Sequence, residues 1–598
     1  MKTNKKTLAI LTAGLLAVTP MAATGLTAFA STLTIDNVTG DASTHQYKAY
    51  QIITGTKTSD VLTGLAWGSN VDPAVLITEL KTFDATTFGG LTGASTVKEV
   101  ADLLEGYADP EGLAKVFNRP GVLTGTPATV SKGSTNYSVS GLADGWYLVK
   151  DDMTPGSGEA KSPNLLQIVG DTTVTPKYSL PELTKKIVVD NTTNPVKLDD
   201  HNTADIGDKV DYVLTSVVPD MTGYDTYFFV INDKMADGLT FDNTSVHVYI
   251  DGTELVNGGG TTYYKIDEGD AAKVGNVQYT FQIVMNDFIQ HSADKGKELK
   301  VTYSATLNSN ADITTTGNPN KVFLTYSNNP NVTADGESTG NPDEPKPGTP
   351  PDPDTPDNPG DDYDDPVGVT PWSDVNTFTT AIKILKVDND TNPLKGATFQ
   401  LEGDGIAAVL KSSTTFTEDT SGTYYPLTNG TYTKTAPTAA TADKYTGGMS
   451  ALTYKETTTF AVDGSAASTN ISGAVDDSGM LIFKGLGAGT YTLTETVTPA
   501  GYNTIAPITV NISNDKVADA FSKTNPNWKV TKKVGSDTPS EITATDNIYE
   551  LQVINAKGST LPTTGGIGTK LFYIIGSLLV AGSVVLLVTK KRMGVRED

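Results

Sequence analysis

The chain has 598 residues, enough for about four domains of ordinary size. Its 69 acidic side chains outnumber 44 basic ones, and the formal net charge of −25 disfavours binding to the phosphate backbone of nucleic acids. The absence of cysteine excludes disulfides, thiolate catalysis and Cys-ligated metal sites. The four histidines lie far apart in the sequence without ligand spacing, so we expect no metal site and no cofactor.

The N-terminal 30 residues have the pattern of an export signal. Three lysines near the start precede the apolar run Leu8 to Val18, and Ala28, Phe29 and Ala30 form a small-x-small cleavage site. The apolar run is too short to favour an uncleaved membrane anchor. We therefore assign 1–30 to a signal peptide and expect the mature protein to be exported.

Three folded blocks are predicted between the two ends of the chain. The first, 31–180, mixes strands with at least one helix, because apolar residues recur at helical spacing between Thr96 and Tyr107. The second, 181–378, and the third, 379–557, consist of short alternating runs that favour β-sandwiches. Within the second block, 341–366 holds nine prolines and nine acidic residues against one lysine, which is typical of a solvated loop.

In the third block, three strands each carry a polar residue in phase with apolar ones. Lys386 follows Ile382 and Ile384, Glu495 follows Tyr491 and Leu493, and Asn555 follows Leu551 and Val553. Because side chains alternate along a strand, all three polar groups are predicted to point into one core. Burial pushes a lysine towards its neutral, nucleophilic form and a glutamate towards its protonated form.

The motifs around these residues resemble a CnaB-type domain. They are Lys386-Val-Asp, Leu394-Lys-Gly-Ala-Thr-Phe-Gln-Leu and Tyr491-Thr-Leu-Thr-Glu-Thr followed by Pro499-Ala-Gly-Tyr. The resemblance implies an isopeptide bond between Lys386 and Asn555 with loss of ammonia, promoted by Glu495. The competing interpretation is a salt bridge at the strand edge with a solvated asparagine.

The second block carries a similar set. Lys185 is in phase with Leu183 and Ile187, Asp233 with Phe229 and Ile231, and Asn320 with Val322, Leu324 and Tyr326. These strands resemble the CnaA-like middle domain of sortase-assembled pilins, in which an aspartate takes the carboxyl role. Lys186 and Asn318 remain alternatives for the cross-link. The first block has Lys48 and Asp151 but lacks a convincing asparagine on its last strand, so we predict no bond there.

The C-terminal segment 561–598 combines three features. An uncharged apolar stretch, Leu571 to Val588, is long enough at about 27 Å to approach a bilayer core. A basic tail, 590–598, follows it and predicts a cytoplasmic end. The pentapeptide upstream consists of Leu561, Pro562, Thr563, Thr564 and Gly565.

This order resembles the cell-wall sorting signal of Gram-positive surface proteins. The resemblance implies that a sortase cysteine attacks the carbonyl of Thr564, releases Gly565 and the residues after it, and holds the chain as a thioester that an amine resolves. The protein would be the substrate of that reaction, and we do not expect it to be an enzyme.

At the boundary of the first two blocks, Val174-Thr-Pro-Lys177 resembles the pilin motif, with Thr175 in place of the usual Tyr and Tyr178 in place of Asn. Together with the domain series and the sorting signal, it makes the whole chain similar to SpaA-type backbone pilins. On this resemblance Lys177 attacks the Thr564 thioester of another copy.

The partners that this resemblance implies are a pilus-specific sortase, a housekeeping sortase, further copies of the chain, ancillary tip and base pilins, and peptidoglycan. The alternative function is a solitary wall-anchored adhesin that binds host matrix, and an insertion at 413–449 is a decorated loop or a ligand surface.

Overall fold

The computed structural model describes residues 31–37, 43–58, 61–153, 159–162, 165–257, 261–274, 277–330, 367–403, 410–462, 470–515, 520–545, 547–558 and 567–593. Four predicted segments lie outside these residues: the leader 1–30, the Pro/Asp-rich segment 341–366, the pentapeptide 561–565 and the tail from 594 onward. Within the described residues strands predominate, helices concentrate in the N-terminal block, and one long apolar helix lies at the C-terminal end. The predicted mainly β fold is confirmed.

The N-terminal block, 31–180, packs two small sheets and four helices. One sheet has the order β5-β6-β1-β9, and the other has the order β3-β2-β7-β8 with β4 beside β2. The elements are β1 Ser31–Asp36, β2 Tyr47–Thr58, β3 Val61–Trp67, α1 Pro73–Phe83, α2 Ala85–Phe88, α3 Val97–Leu104, α4 Pro110–Phe117, β4 Ala128–Thr129, β5 Ser131–Lys132, β6 Asn136–Leu142, β7 Gly145–Asp151, β8 Leu165–Val169 and β9 Thr172–Val174.

Local sequence signals define where these helices begin. The Thr96 hydroxyl accepts the backbone N–H of Glu99, whose carboxylate accepts the N–H of Thr96, so α3 starts on a capping box. It ends at Leu104, three residues before the end of the segment we predicted to be helical. The helices α1 and α4 each begin with an aspartate cap followed by proline at the first helical position, Asp72-Pro73 and Asp109-Pro110.

The middle block, 181–378, is a sandwich of a six-stranded and a seven-stranded sheet around one large apolar core. The sheet orders are β11-β10-β13-β21-β15-β16 and β12-β24-β22-β14-β20-β17, with β23 beside β22. The strands are β10 Thr184–Asp190, β11 Lys197–Asp199, β12 His201–Thr203, β13 Lys209–Val217, β14 Phe229–Met235, β15 Leu239–Ile250, β16 Thr253–Glu254, β17 Tyr264–Glu268, β18 Lys273–Val274, β19 Val277–Gln278, β20 Phe281–Met285, β21 Glu298–Leu307, β22 Asn318–Ser327, β23 Val367–Val369 and β24 Ser373–Phe378.

The C-terminal block, 379–557, is a second sandwich with its own core. Its sheets have the orders β32-β25-β38-β37 and β31-β26-β33-β34-β35-β36, and a long hairpin of β27 and β30 carries the small ribbon β28-β29. The strands are β25 Thr380–Asp388, β26 Thr398–Gly403, β27 Leu410–Glu418, β28 Tyr425–Pro426, β29 Tyr432–Thr433, β30 Tyr454–Val462, β31 Asn470–Ala474, β32 Met480–Leu486, β33 Gly489–Val497, β34 Ile508–Ser513, β35 Lys529–Val534, β36 Ser540–Ile542, β37 Ala544–Thr545 and β38 Ile548–Asn555.

A buried joint connects the two sandwiches. Asp205 Oδ1 accepts the N–H of Gly487 at 2.7 Å and the hydroxyl of Tyr491 at 2.8 Å. The next residue, Ile206, donates its N–H to the carbonyl of Gly485 at 2.9 Å. Gly485 has a φ of +84°, and a Cβ on it would collide with the Ile206 side chain, so glycine is required there.

The helix α5, Ile567–Met593, is exposed along the part of its length whose side chains the structure describes. Its segment Leu571–Arg592 has a mean hydropathy of 2.5, and by length and composition it is able to cross a membrane.

Candidate functional site: two buried lysine clusters and a boundary lysine

The middle sandwich brings three polar side chains together from both of its sheets. Lys185 lies on β10 in one sheet, whereas Asp233 on β14 and Asn320 on β22 lie in the other. The strands β14 and β22 pair so that Asp233 faces Val322 and Met235 faces Asn320. Because alternate residues share a face, each polar group points between the sheets, and at most 1% of each residue is exposed.

Direct hydrogen bonds connect this middle cluster. Lys185 Nζ lies 2.6 Å from Asp233 Oδ2 and donates to Asn320 Oδ1. The hydroxyl of Tyr303, on β21, donates to Asp233 Oδ2 at 2.7 Å and accepts from Asn320 Nδ2 at 3.0 Å. The amine, the carboxyl and the amide therefore contact one another, and the tyrosine bridges the last two.

Burial moves the protonation of the middle cluster towards neutral groups. Desolvation lowers the pKa of Lys185 to about 8, although the Asp233 carboxylate opposes this change. Desolvation also raises the pKa of Asp233, against the opposing effect of Lys185. A neutral amine beside a protonated carboxyl is the combination that an attack on an amide carbonyl requires.

The two alternatives that the sequence left open lie outside this cluster. Lys186 is exposed on the other face of β10, with Nζ 4.0 Å from Asp200. Asn318 is buried, but its Nδ2 donates to the backbone carbonyls of Asp312 and Thr377 at 3.0 and 3.1 Å. Of the two candidate pairs, the fold thus brings Lys185 and Asn320 together.

The C-terminal sandwich forms a second cluster with a different arrangement. Lys386 on β25 and Asn555 on β38 lie on neighbouring parallel strands of one sheet, with Asp388 opposite Asn555. Glu495 lies on β33 in the facing sheet. Lys386 and Asn555 are fully buried and Glu495 is 5% exposed.

In this C-terminal cluster the carboxyl and the amide are in direct contact. Asn555 Nδ2 donates to Glu495 Oε1 at 2.8 Å and to Oε2 at 3.1 Å. Lys386 Nζ donates to the backbone carbonyl of Val553 at 3.2 Å, two residues before Asn555. Desolvation lowers the pKa of Lys386, and the charge of Glu495 opposes this effect. The Lys386 amine therefore lies on the strand next to that of Asn555, and the charge of Glu495 acts on it electrostatically.

The first block arranges its two candidate residues differently. Lys48 points outward and donates to the Thr129 hydroxyl at 3.0 Å. Asp151 is buried and lies 2.6 Å from His45 Nδ1, while His45 Nε2 lies 3.1 Å from the hydroxyl of Tyr178. The fold thus separates Lys48 from Asp151 and gives Asp151 a histidine partner that sequence reasoning missed.

The boundary lysine, Lys177, lies three residues after the end of β9. In this segment Val174, Pro176 and Tyr178 are buried, whereas Thr175 and Lys177 point to solvent. Lys177 Nζ lies 3.3 Å from Glu111 Oε1, and 48% of its side chain is exposed. A partly exposed amine on an extended segment is accessible to a second protein.

Comparison with known proteins identifies two regions of the chain. The SpaA family, described as a prealbumin-like fold domain, matches 451–527, a region that includes Glu495. The LPXTG cell wall anchor motif matches 554–593. The chain is also 26% identical over 454 residues to the trypsin-resistant surface T6 protein of Streptococcus pyogenes, covering 71% of each chain. The chain therefore carries a SpaA-type domain and an LPXTG cell wall anchor motif, and it is similar to a streptococcal surface protein.

Several solved pilin structures are similar to this chain over most of its length. The T6 backbone pilin of Streptococcus pyogenes has a TM-score of 0.46 and 16% identity, over 89% of this chain and 99% of that one. The full-length major pilin SpaD of Corynebacterium diphtheriae has a TM-score of 0.42 and 14% identity, over 89% and 98%. The major pilin BcpA of Bacillus cereus has a TM-score of 0.39 and 13% identity, over 89% and 99%.

Proposed function

We propose that this protein is a pilin, the backbone subunit of a covalent surface pilus. The observation that carries the proposal is the position of Lys177, an exposed amine between two folded blocks in a chain that ends in a cell-wall anchor motif. A chain with an accessible amine at a domain boundary and an activatable carbonyl near its C-terminus is able to polymerise head to tail.

The polymerising step joins Thr564 of one subunit to Lys177 of the next. A pilus-specific sortase would recognise Leu561, Pro562, Thr563, Thr564 and Gly565, cleave after Thr564 and hold its carbonyl as a thioester. Lys177 Nζ then attacks that carbonyl, so a C–N bond forms as the C–S bond breaks and the sortase thiol is regenerated. A housekeeping sortase would finally transfer the polymer to peptidoglycan, with ancillary pilins at the tip and the base.

Two internal cross-links would stabilise each subunit. In the middle sandwich, Lys185 Nζ would attack Asn320 Cγ, and Asp233 would pass a proton to the departing nitrogen, which leaves as ammonia. The support is the direct contact of all three groups in a core that favours their neutral forms. In the C-terminal sandwich, Lys386, Glu495 and Asn555 would follow the same chemistry.

These bonds have a mechanical role in a fibre under tension. Lys185 and Asn320 lie on the first and on one of the last strands of the middle sandwich, and Lys386 and Asn555 lie on the first and last strands of the C-terminal one. A bond between such strands carries force through covalent structure instead of strand hydrogen bonds. It also reduces the entropy of the unfolded chain, as a disulfide does, without needing an oxidant.

An immunoblot of wall extracts from the native host, boiled in detergent, tests the polymer. We expect a high-mass ladder for the wild type, collapse to a monomer band for Lys177→Ala, and an unchanged ladder for the matched variant Lys186→Ala. A ladder that persists in Lys177→Ala would assign the linkage to another lysine. A single band in every strain would make the protein a solitary anchored adhesin and refute the pilus.

A further inference from the structure

The attack of Lys177 on a thioester requires a group that accepts protons from the lysine nitrogen. A lysine in water is almost entirely protonated at neutral pH, and only its neutral form is a nucleophile. After attack, the nitrogen of the tetrahedral adduct carries a positive charge until it loses a further proton. A carboxylate beside the amine would hold the ammonium before the reaction and accept the proton during it.

Glu111 lies where such a carboxylate is needed. Its Oε1 is 3.3 Å from Lys177 Nζ, and 37% of its side chain is exposed. It occupies the first turn of α4, whose start is fixed because the Asp109 carboxylate accepts the N–H of Gly112 at 2.8 Å.

Hydrogen bonds on both sides of Lys177 hold its backbone towards Glu111. The Thr175 hydroxyl donates to Asp36 Oδ2 at 3.0 Å. The Tyr178 hydroxyl contacts the buried His45, and Ser179 Oγ accepts the N–H of Asp220 at 2.7 Å. The lysine side chain therefore projects from a fixed segment, and its amine stays within reach of one carboxylate.

Glu111 also faces open space. It lines a cleft of about 460 Å³ between α4 and the loop 222–225 of the middle block. The other charged groups that line this cleft are Asp109, Lys115, Arg119 and Asp225. Both cations are already engaged: Lys115 lies 2.6 Å from Asp225, and Arg119 lies 2.6 Å from Glu79. Among the described residues, the cation that pairs with Glu111 is Lys177.

We propose that Glu111 is a catalytic residue of polymerisation, which orients the Lys177 amine and accepts its proton as the new amide forms. This inference rests on the proposed function. The ammonium first loses one proton to solvent, and Nζ attacks the Thr564 carbonyl carbon. The adduct nitrogen then transfers a second proton to Glu111, the C–S bond breaks, and the thiolate takes a proton from Glu111 or from solvent.

The test compares ladder growth in host cells that express the full-length chain as wild type, Glu111→Gln, Glu111→Asp or Lys177→Ala. Pulse-chase labelling gives the rate, and the matched control is Asp102→Asn, which removes the exposed Lys98–Asp102 ion pair of the same block. We expect Glu111→Gln to slow the ladder about 10- to 100-fold, Glu111→Asp to recover part of the rate, and Asp102→Asn to leave it unchanged.

The pH profile separates proton transfer from a structural role. In a mildly alkaline medium, solvent removes the proton more easily, so the deficit of Glu111→Gln should shrink. A deficit that is equal at every pH and is not rescued by Glu111→Asp would overturn the proposal, as would a wild-type rate in Glu111→Gln. If Lys177→Ala keeps its ladder, the proposed linkage fails instead. If Lys177→Ala loses the ladder and Glu111→Gln does not slow it, only the role of Glu111 fails.

Discussion

The two sandwiches use the same three chemical groups but divide them differently between their sheets. In the middle sandwich the carboxyl and the amide share a sheet, and the lysine reaches them from the facing one. In the C-terminal sandwich the lysine and the amide share a sheet, and the carboxyl comes from the facing one. A bond in the middle sandwich would join its two sheets, whereas one in the C-terminal sandwich would join two adjacent strands.

The hydrogen bonds that the carboxyl group accepts also differ between the two sandwiches. Asp233 Oδ2 receives a hydrogen bond from the Tyr303 side chain. Glu495 Oε2 receives the backbone N–H of Ile505 and the hydroxyl of Thr498, both at 3.2 Å. The proposed chemistry would therefore need an amine, an acid and an amide in a dry core, but not one topology. The C-terminal acid also accepts a backbone N–H, which substitution of a side chain does not remove, whereas the hydroxyl that supports Asp233 is removable.

The largest expected effect belongs to Asp233→Ala. Without the acid the middle bond should not form, so the mature chain should retain one more ammonia than wild type, after the mass of the substitution itself is subtracted. Losing a cross-link between residues 135 positions apart should cost about 5 kcal/mol of unfolding free energy, and the buried Lys185 would lose its counter-ion. Intact mass and calorimetry measure both, with the partly exposed Asp211→Ala as control. The same ammonia deficit as in wild type, measured against each chain's own sequence mass, would refute the role of Asp233.

Glu495→Ala should have a similar effect on mass and a smaller one on stability. One ammonia should return while the middle bond remains, and the C-terminal sandwich should become more sensitive to protease. The loss is smaller because Lys386 Nζ keeps its hydrogen bond to the Val553 carbonyl. The control Glu550→Ala removes an exposed carboxylate that pairs with Lys383 at 3.0 Å. An unchanged ammonia deficit in Glu495→Ala, measured against its own sequence mass, would mean that another carboxyl acts there.

Tyr303→Phe tests the difference between the two clusters, because the Tyr303 hydroxyl bridges Asp233 and Asn320, and no hydroxyl bridges acid and amide among the described hydrogen bonds of the C-terminal cluster. The variant should still form the middle bond, but about ten times more slowly, since carboxyl and amide lose their shared hydroxyl. The fraction of chains lacking ammonia after a short induction measures this rate. Tyr264→Phe, whose hydroxyl donates to the Val246 carbonyl, is the matched control and should behave as wild type. Equal rates in both variants would contradict the bridging role.

The smallest expected effect concerns the joint between the two sandwiches. Burial raises the pKa of Asp205 to about 6, so the folded joint favours the neutral acid. Its contribution to stability is therefore complete below the ordinary pKa near 4 and is lost as pH rises through 6, by roughly 1–3 kcal/mol. The free energy of unfolding of the mature chain, measured across this pH range, should fall by this amount. The Asp205→Asn variant should show no such fall. The same slope in both proteins would exclude Asp205 as its source.

Strand periodicity was enough to predict which side chains face the two cores. Lys185, Asp233, Asn320, Lys386, Glu495 and Asn555 are all buried, as alternation with apolar neighbours implies. Periodicity does not distinguish Asn318 from Asn320, because residues two apart share a face. The distinction depends on the partners that each amide finds. Asn320 contacts Lys185 on β10 and Tyr303 on β21, whereas Asn318 is held by the carbonyls of Asp312 in the preceding loop and Thr377 on β24.

The groups that sequence reasoning missed are those whose role depends on long-range pairing. Tyr303 lies on an alternating strand and resembles any buried tyrosine until β21 places it beside Asp233. His45 and Asp151 are 106 residues apart, and Glu111 meets Lys177 across 66 residues. The helix α3 was predicted because its apolar spacing is regular. The helices α1, α2 and α4 were not, although aspartate caps mark their starts.

The close fit of Ile206 against Gly485 has a consequence for the shape of a polymer. A joint that buries a carboxylate and interlocks a branched side chain with a glycine resists rotation, because any tilt would break both contacts at once. Within one subunit, the middle and C-terminal sandwiches would then behave as a single rigid rod. The bending of a head-to-tail fibre would concentrate at its other junctions, so its flexibility would repeat once per subunit along its length.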